Sequence, residues 1–273
     1  MVWRAPEDTA DDVPGYTRPL PRPPKVSRPV SRRRRILKRA AFIVATIVAL
    51  FVLAAGTLLL TTPSAGQATK LAEQQAAQHG IGYPGPPVPV NIARPLVATE
   101  DHRFYAEPGI DALAVGRAAV GKLTGGQDQG GATIEQQLAK MLYTPGQSGL
   151  DVELKQVALA VKLNAAYSKD QILRLYAEVA YYGHGYYGLQ AASCGYFGRP
   201  PSELTVNQGA MLAGVVNAPS IDDPINDPMN ARARLAHVIA RMVAVGYLTP
   251  AQGTRELTAP LGIVPRDQAG CST

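Results

Sequence analysis

Apolar residues recur at three- and four-residue intervals over six stretches of the chain: 110–123, 133–142, 152–166, 169–180, 204–216 and 231–245. That spacing lines one face of an α-helix. Asp111, Thr133, Ser168 and Thr205 stand where N-caps or first-turn residues belong, and Ser168-Lys169-Asp170 ahead of Ile172 and Leu175 is a helix start. No stretch alternates strictly between apolar and polar, so the pattern predicts an all-α domain.

One segment breaks the amphipathic pattern. Residues 40–60 carry no charge and only two hydroxyl side chains, Thr46 and Thr57. At about 1.5 Å per residue such a helix spans roughly 30 Å, the thickness of a bilayer's hydrocarbon core. Arg32 to Arg35, Lys38 and Arg39 precede it, and the first basic residue after it is Lys70. The excess of positive charge on the leading side predicts a single pass with the N-terminus inside and the remainder outside. A cleaved signal peptide is the competing reading; the leader is too long and the apolar stretch exceeds the usual signal core, so a retained anchor is expected. Residues 1–39 read as a Pro/Arg-rich disordered cytoplasmic tail, with too little apolar material to offset chain entropy. Residues 61–91 read as a stalk or linker, with a polar, alanine-rich helix near 70–78 and close-set Gly and Pro after it. The globular domain is expected over 92–257, with a C-terminal tail over 258–273.

Composition sharpens this layout. The chain has 273 residues and a net charge of +6. Residues 1–39 alone carry +7, and the remainder carries −1. The outer domain therefore lacks the basic face a nucleic-acid-binding domain needs, and the polybasic flank suits anionic lipid instead. Two cysteines exclude a disulfide-rich scaffold. Cys194 and Cys271 both fall outside the membrane, where a disulfide holding the tail to the domain and two free thiols are the alternatives.

The chain has neither a phosphate-cradling GxxxxGK[ST] loop nor a GxSxG nucleophile elbow. His79, His102, His184 and His237 are scattered without metal-ligand spacing and read as surface or supporting residues. Two segments carry candidate chemistry. In Val97-Ala98-Thr99-Glu100-Asp101-His102-Arg103-Phe104-Tyr105, adjacent carboxylates point about 100° apart on a helix, so one can serve as a base while the other holds structure. A helix cap with a salt bridge is the plainer alternative. In Gly130-Gly131-Ala132-Thr133-Ile134-Glu135-Gln136-Gln137-Leu138-Ala139-Lys140, a glycine loop runs into a helix on which Thr133, Gln137 and Lys140 share a face. Hydroxyl, amide and ammonium groups at a helix N-terminus suit a sugar or an anion; a glycine turn before a solvated face is the alternative.

Taken together, these segments resemble the family 51 glycosyltransferases, the peptidoglycan polymerases, over about residues 92–257. Glu100-Asp101-x-x-Phe104 is similar to the first family motif, and Gly130-Gly131-Ala132-Thr133-Ile134-x-Gln136-Gln137-Leu138-x-Lys140 to the second. Tyr167 to Leu173 resembles the third, and Tyr187 to Ala192 with Tyr196-Phe197-Gly198-Arg199 the fourth. The run from Leu204 through Leu212-Ala213-Gly214 to Ala218-Pro219-Ser220 resembles the family's segment C-terminal to the fourth motif. The resemblance implies a lysozyme-like helical fold in the monofunctional form, anchored in a bacterial cytoplasmic membrane. It implies lipid II and the growing glycan chain as substrates, membrane lipids as surroundings, and a transpeptidase or other wall-synthesis protein as partner. Glu100 is then the general base, taking the proton of the acceptor's 4-hydroxyl as undecaprenyl pyrophosphate leaves with inversion. Asp101, Arg103, Phe104, Arg117, Thr133, Gln136, Gln137 and Lys140 would line the substrate site, with Lys140 on phosphate. No cofactor is certain; many members use a divalent cation, Mg or Mn. The stretch 112–123 corresponds to a region that dips toward the bilayer in the family, with burial in the core as the alternative.

Several positions depart from the family pattern. Gln156 stands where the family has its second glutamate, and Val152-Glu153 replaces a basic pair. Glu153, one helical turn from Gln156, is a candidate compensating carboxylate. Ala132 replaces a serine, Glu178 an asparagine and Asn217 a lysine. These departures carry the alternative function: a catalytically impaired member that binds lipid II or glycan, or scaffolds wall synthesis. A lysozyme-like hydrolase is a weaker third reading.

Overall fold

The computed structural model describes residues 32–110, 132–265 and 271. Its helices are α1 (Arg32–Thr61), α2 (Ala68–Gln78), α3 (Val90–Glu100), α4 (Ile134–Tyr143), α5 (Leu150–Ala166), α6 (Lys169–Val179), α7 (Leu189–Phe197), α8 (Val206–Val215), α9 (Pro228–Ala244) and α10 (Pro250–Thr258). Among the described residues there is no strand, only an isolated antiparallel bridge between Tyr181 and Tyr187. The expected helix at 110–123, with Asp111 and Arg117, lies outside the described residues. The chain divides into two compact units, 1–51 and 52–273.

Among the described residues, α1 is the helix long and apolar enough to cross a membrane; its most apolar window has a mean hydropathy of 2.7 and none of it is buried. Phe42, Ile47, Phe51 and Leu53 are all exposed, as a helix without a polar stripe requires of its surroundings.

The second unit packs around α3, α4, α6 and α8. Thr133 and Ser168 cap α4 and α6 through reciprocal bonds with Gln136 and Gln171. α4 lies against α5 and α6, and α3 against α8 and α9. Leu96, Phe104, Ile134, Leu138, Leu159, Leu163 and Tyr176 fill the interior.

Prolines hide α3 in the sequence pattern. Pro95 lies inside it and has no N–H to give the Asn91 carbonyl. Gly209 of α8 packs against that carbonyl so closely that a Cβ there would stand 2.1 Å from the oxygen. Glycine alone permits this approach, which sets the angle at which α3 delivers its last residue, Glu100.

Within the stretch read as a stalk, 61–91, the alanine-rich helix is packed on its neighbours. α2 lies against α4 and α6, with Ala68, Ala72 and Ala76 buried. The alanines that read as polar-helix filler are a packing face, because small side chains let the helices approach. The C-terminal segment is also tied down. Val264 N–H donates to the Tyr196 carbonyl (2.9 Å), Gln208 donates to the Leu261 carbonyl (2.8 Å), and Cys194 is disulfide-bonded to Cys271.

Candidate active site

Glu100 is the last residue of α3, where the helix ends and its carbonyls turn outward. An anion is poorly placed at such an end unless donors surround it. Three do. Gln137 Nε2 donates to Oε2 (2.9 Å), Asn217 Nδ2 donates to Oε1 (3.3 Å), and an Arg234 terminal nitrogen stands 3.6 Å from Oε1. The Glu100 side chain is 4% exposed. Two side-chain amides and one ion pair thus hold a carboxylate that offers about four acceptor sites, so it keeps acceptor capacity for a proton from outside.

The donors come from separate elements. Gln137 sits one turn into α4, Asn217 follows α8, and Arg234 lies on α9. The orientation of the Gln137 amide is itself set: Tyr176 O–H donates to its oxygen at 3.0 Å, which turns the nitrogen toward Glu100. Burial, and then the charge of Glu100, push the Tyr176 phenol well above its ordinary pKa, so it remains a donor. Arg234 Nε also stands 3.7 Å from Asp222, and Arg241 donates to the Ala98 carbonyl in the last turn of α3.

The other expected residues have different surroundings. Asp101 accepts from Ile134 N–H (3.3 Å), tying the first motif to the start of α4, and burial raises its pKa to about 6. Thr133 is buried and donates to the Gly109 carbonyl (3.0 Å) while capping α4, and Gln136 completes that cap. Phe104 is fully buried, and Arg103 pairs with Glu107 at 2.5 Å. Lys169 gathers this region: its ammonium lies 2.6 Å from the buried Glu135 carboxylate, donates to the Glu107 carbonyl, and sits 4.6 Å from the centre of the Phe104 ring. Lys140 is exposed on α4. Thr133, Gln137 and Lys140 thus begin on one helix face but serve three environments: a buried cap, the Glu100 carboxylate, and solvent.

Gln156 donates from Nε2 to Thr144 Oγ1 (2.9 Å), and Glu153 is exposed one turn earlier on α5. Among the described residues, no three His, Cys, Asp or Glu side chains gather as a metal site. The donor set around Gln156 is an amide and a hydroxyl, which does not fit a divalent cation. In and just before the fourth-motif region, Tyr182 and Tyr196 are buried packing residues, while Tyr181, Tyr186 and Tyr187 are half-buried. A cavity of about 490 Å³, lined in part by Tyr83, Arg174, Glu178 and Tyr187, contains none of the Glu100 partners in its wall.

Sequence reasoning misses Arg234 and Tyr176. Both lie on amphipathic helices, where an arginine reads as solvated and a tyrosine as core.

A family model described as Transglycosylase matches residues 68–243. Penicillin-binding protein 1F of Bacillus subtilis is 38% identical over 67% of this chain and 26% of its own length. Penicillin-binding protein 1A of Mycobacterium tuberculosis is 40% identical over 60% of this chain and 20% of its own. A protein described as a transglycosylase from Cupriavidus necator is 36% identical over 64% of this chain and 75% of its own. The chain thus spans about a quarter or less of the two penicillin-binding proteins.

Proposed function

The chain belongs to the transglycosylase family, family 51 of the glycosyltransferases, and on that footing we propose that it polymerises lipid II into glycan strands at the outer face of a bacterial cytoplasmic membrane. The observation that carries this reading is the Glu100 carboxylate, hydrogen-bonded by Gln137 and Asn217 and paired with Arg234, with acceptor capacity to spare. A general base needs a fixed position and a free lone pair. Glu100 takes the proton from the acceptor sugar's 4-hydroxyl. The oxygen attacks the donor's anomeric carbon, the bond to pyrophosphate breaks, and configuration inverts. Undecaprenyl pyrophosphate departs as an anion, and Lys140, exposed on α4, supplies charge for it. α1 keeps the domain at the surface where both substrates reside. The surrounding partners are membrane lipids and a transpeptidase or other wall-synthesis protein.

Gln156 favours a second reading. An amide at the second acidic position, bonded to Thr144, carries no charge for the reaction. On this reading the chain binds lipid II or glycan without turning it over.

Purified full-length chain assayed on lipid II separates the two. Polymer from wild type and none from Glu100→Gln supports the enzyme reading. Product only after Gln156→Glu supports the impaired one. Product that persists in Glu100→Gln rejects Glu100 as the base. A Glu153→Gln variant with an unaltered rate dismisses the shifted carboxylate.

A further inference from the structure

His184 is the only non-glycine residue with positive φ among the described residues, at 52°. The left-handed region is costly for a side chain with a Cβ, and such strain persists where the surrounding structure imposes it. Here the neighbours Gly183 and Gly185 are glycines at φ 84° and 80°, yet the residue between them is not. Its side chain is occupied. Nε2 lies 3.0 Å from Asp223 Oδ1 and 2.8 Å from Oδ2, with both side chains largely buried. A carboxylate only accepts, so Nε2 carries the proton.

Asp223 does more than receive this bond. Its Oδ1 accepts from the backbone N–H groups of Ile225 and Asn226, and its Oδ2 from the Asn226 side chain (2.8 Å). Its carbonyl accepts from Asp227 N–H (2.8 Å), and Asp227 in turn caps α9 through Asn230. Arg234 lies on α9 seven residues beyond that cap. On the other side of Asp223, Asp222 stands 3.7 Å from Arg234, and the turn from Ala218 to Asp222 leads back to Asn217. The segment 217–227 therefore carries one donor of Glu100 at its start and sets the helix bearing another at its end. The 181–187 turn packs directly on this segment: a Cβ on Gly183 would meet the Pro219 carbonyl at 2.9 Å.

We propose that His184 is a positioning residue for glycosyl transfer: through Asp223 it fixes segment 217–227, so that Asn217 and Arg234 stay directed at Glu100. The proposal rests on the reading of Glu100 as the base. His184 touches no substrate; it sets the geometry of the group that does, and a carboxylate misplaced by about 1 Å loses rate rather than affinity. The strain at His184 has a purpose on this account. Glycine would suit the backbone, but only a side chain with a donor reaches Asp223.

The test uses full-length chain in detergent with lipid II. His184→Gly relieves the backbone and removes the donor. His184→Asn tolerates the left-handed conformation and keeps a donor. We expect kcat to fall about tenfold in His184→Gly with KM within about twofold, assayed well below the variant's thermal midpoint. His184→Asn should recover most of the lost kcat. An unchanged kcat in His184→Gly overturns the proposal, as does a loss that appears in KM alone. If wild type makes no polymer, the enzyme reading fails on its own. The positioning claim is then read in crystal structures of wild type and His184→Gly. An Asn217 to Glu100 separation that stays near 3.3 Å in the variant overturns it, and one that opens beyond hydrogen-bonding range supports it.

Discussion

The side-chain amide of Gln137 stands 2.9 Å from the Glu100 carboxylate and donates to it. Its oxygen is claimed by Tyr176, so the amide cannot flip without losing both bonds. Gln137→Glu places a second carboxylate against the first and should lower the rate of lipid II polymerisation about a hundredfold. Tyr176→Phe keeps the ring packed and releases only the amide; a loss of about three- to tenfold is expected. Initial rates on lipid II, with thermal midpoints alongside, check both. Equal losses in the two variants would contradict the relay.

Asp101 gives a pH dependence of known sign. Burial raises its pKa from 3.8 to about 6 in the folded chain. The folded state therefore holds a proton that the unfolded state has lost between those values, and stability from this group falls as pH rises through the window. The penalty is absent below about pH 4 and complete above about pH 6. Asp101→Asn removes the titration while its amide oxygen can still accept from Ile134. Its stability relative to wild type should improve by about 1–2 kcal/mol between pH 4 and pH 7, after discounting for solvent. Denaturant midpoints for both proteins at the two pH values measure this, and a gap that does not change with pH refutes it.

Glu135 is buried and its partner Lys169 is partly so, and removing the lysine strands the carboxylate. Lys169→Met should cost about 3–5 kcal/mol, because the Glu135 charge loses its partner. Lys169→Met with Glu135→Leu should recover most of that loss. Urea denaturation of the single and double variants tests the coupling; additive losses would mean the two side chains act independently.

The disulfide between Cys194 and Cys271 closes 77 residues of chain. Cys194→Ser should cost about 2–4 kcal/mol, chiefly through a less restricted unfolded state. Neither cysteine touches Glu100 or its partners, so polymerisation should stay within about twofold of wild type. Intact mass before and after reduction should differ by two hydrogens; identical masses would show free thiols.

Much of the fold is legible in the sequence because caps and periodicity are local. The capping boxes at Thr133 and Ser168 each mark a helix start where the pattern predicts one. α7 and α10 escape the pattern. α7 is short, sets small residues such as Ala192, Ser193 and Gly195 on its buried side, and offers little amphipathic contrast. Gly195 is there because the Tyr186 ring lies where a Cβ would go, a tertiary cause with no local signature. The site divides the same way. Glu100 and Gln137 stand out in motifs, but Arg234 sits in an ordinary amphipathic helix and only the packing of α9 on α3 brings it to Glu100. Asn217 is visible only as an exchange of one residue type for another; its bond to Glu100 gives that exchange a role.

The bond between Gln156 and Thr144 has a direction. The amide gives the proton and the threonine oxygen receives it, while the threonine's own hydroxyl points to the Lys140 carbonyl at 3.5 Å. A carboxylate at position 156 has nothing to give. Thr144 would have to rotate and donate to the newcomer, giving up its long contact with the Lys140 carbonyl. An acid at position 156 therefore works only beside a turned Thr144, and position 144 is where any further gain over Gln156→Glu belongs.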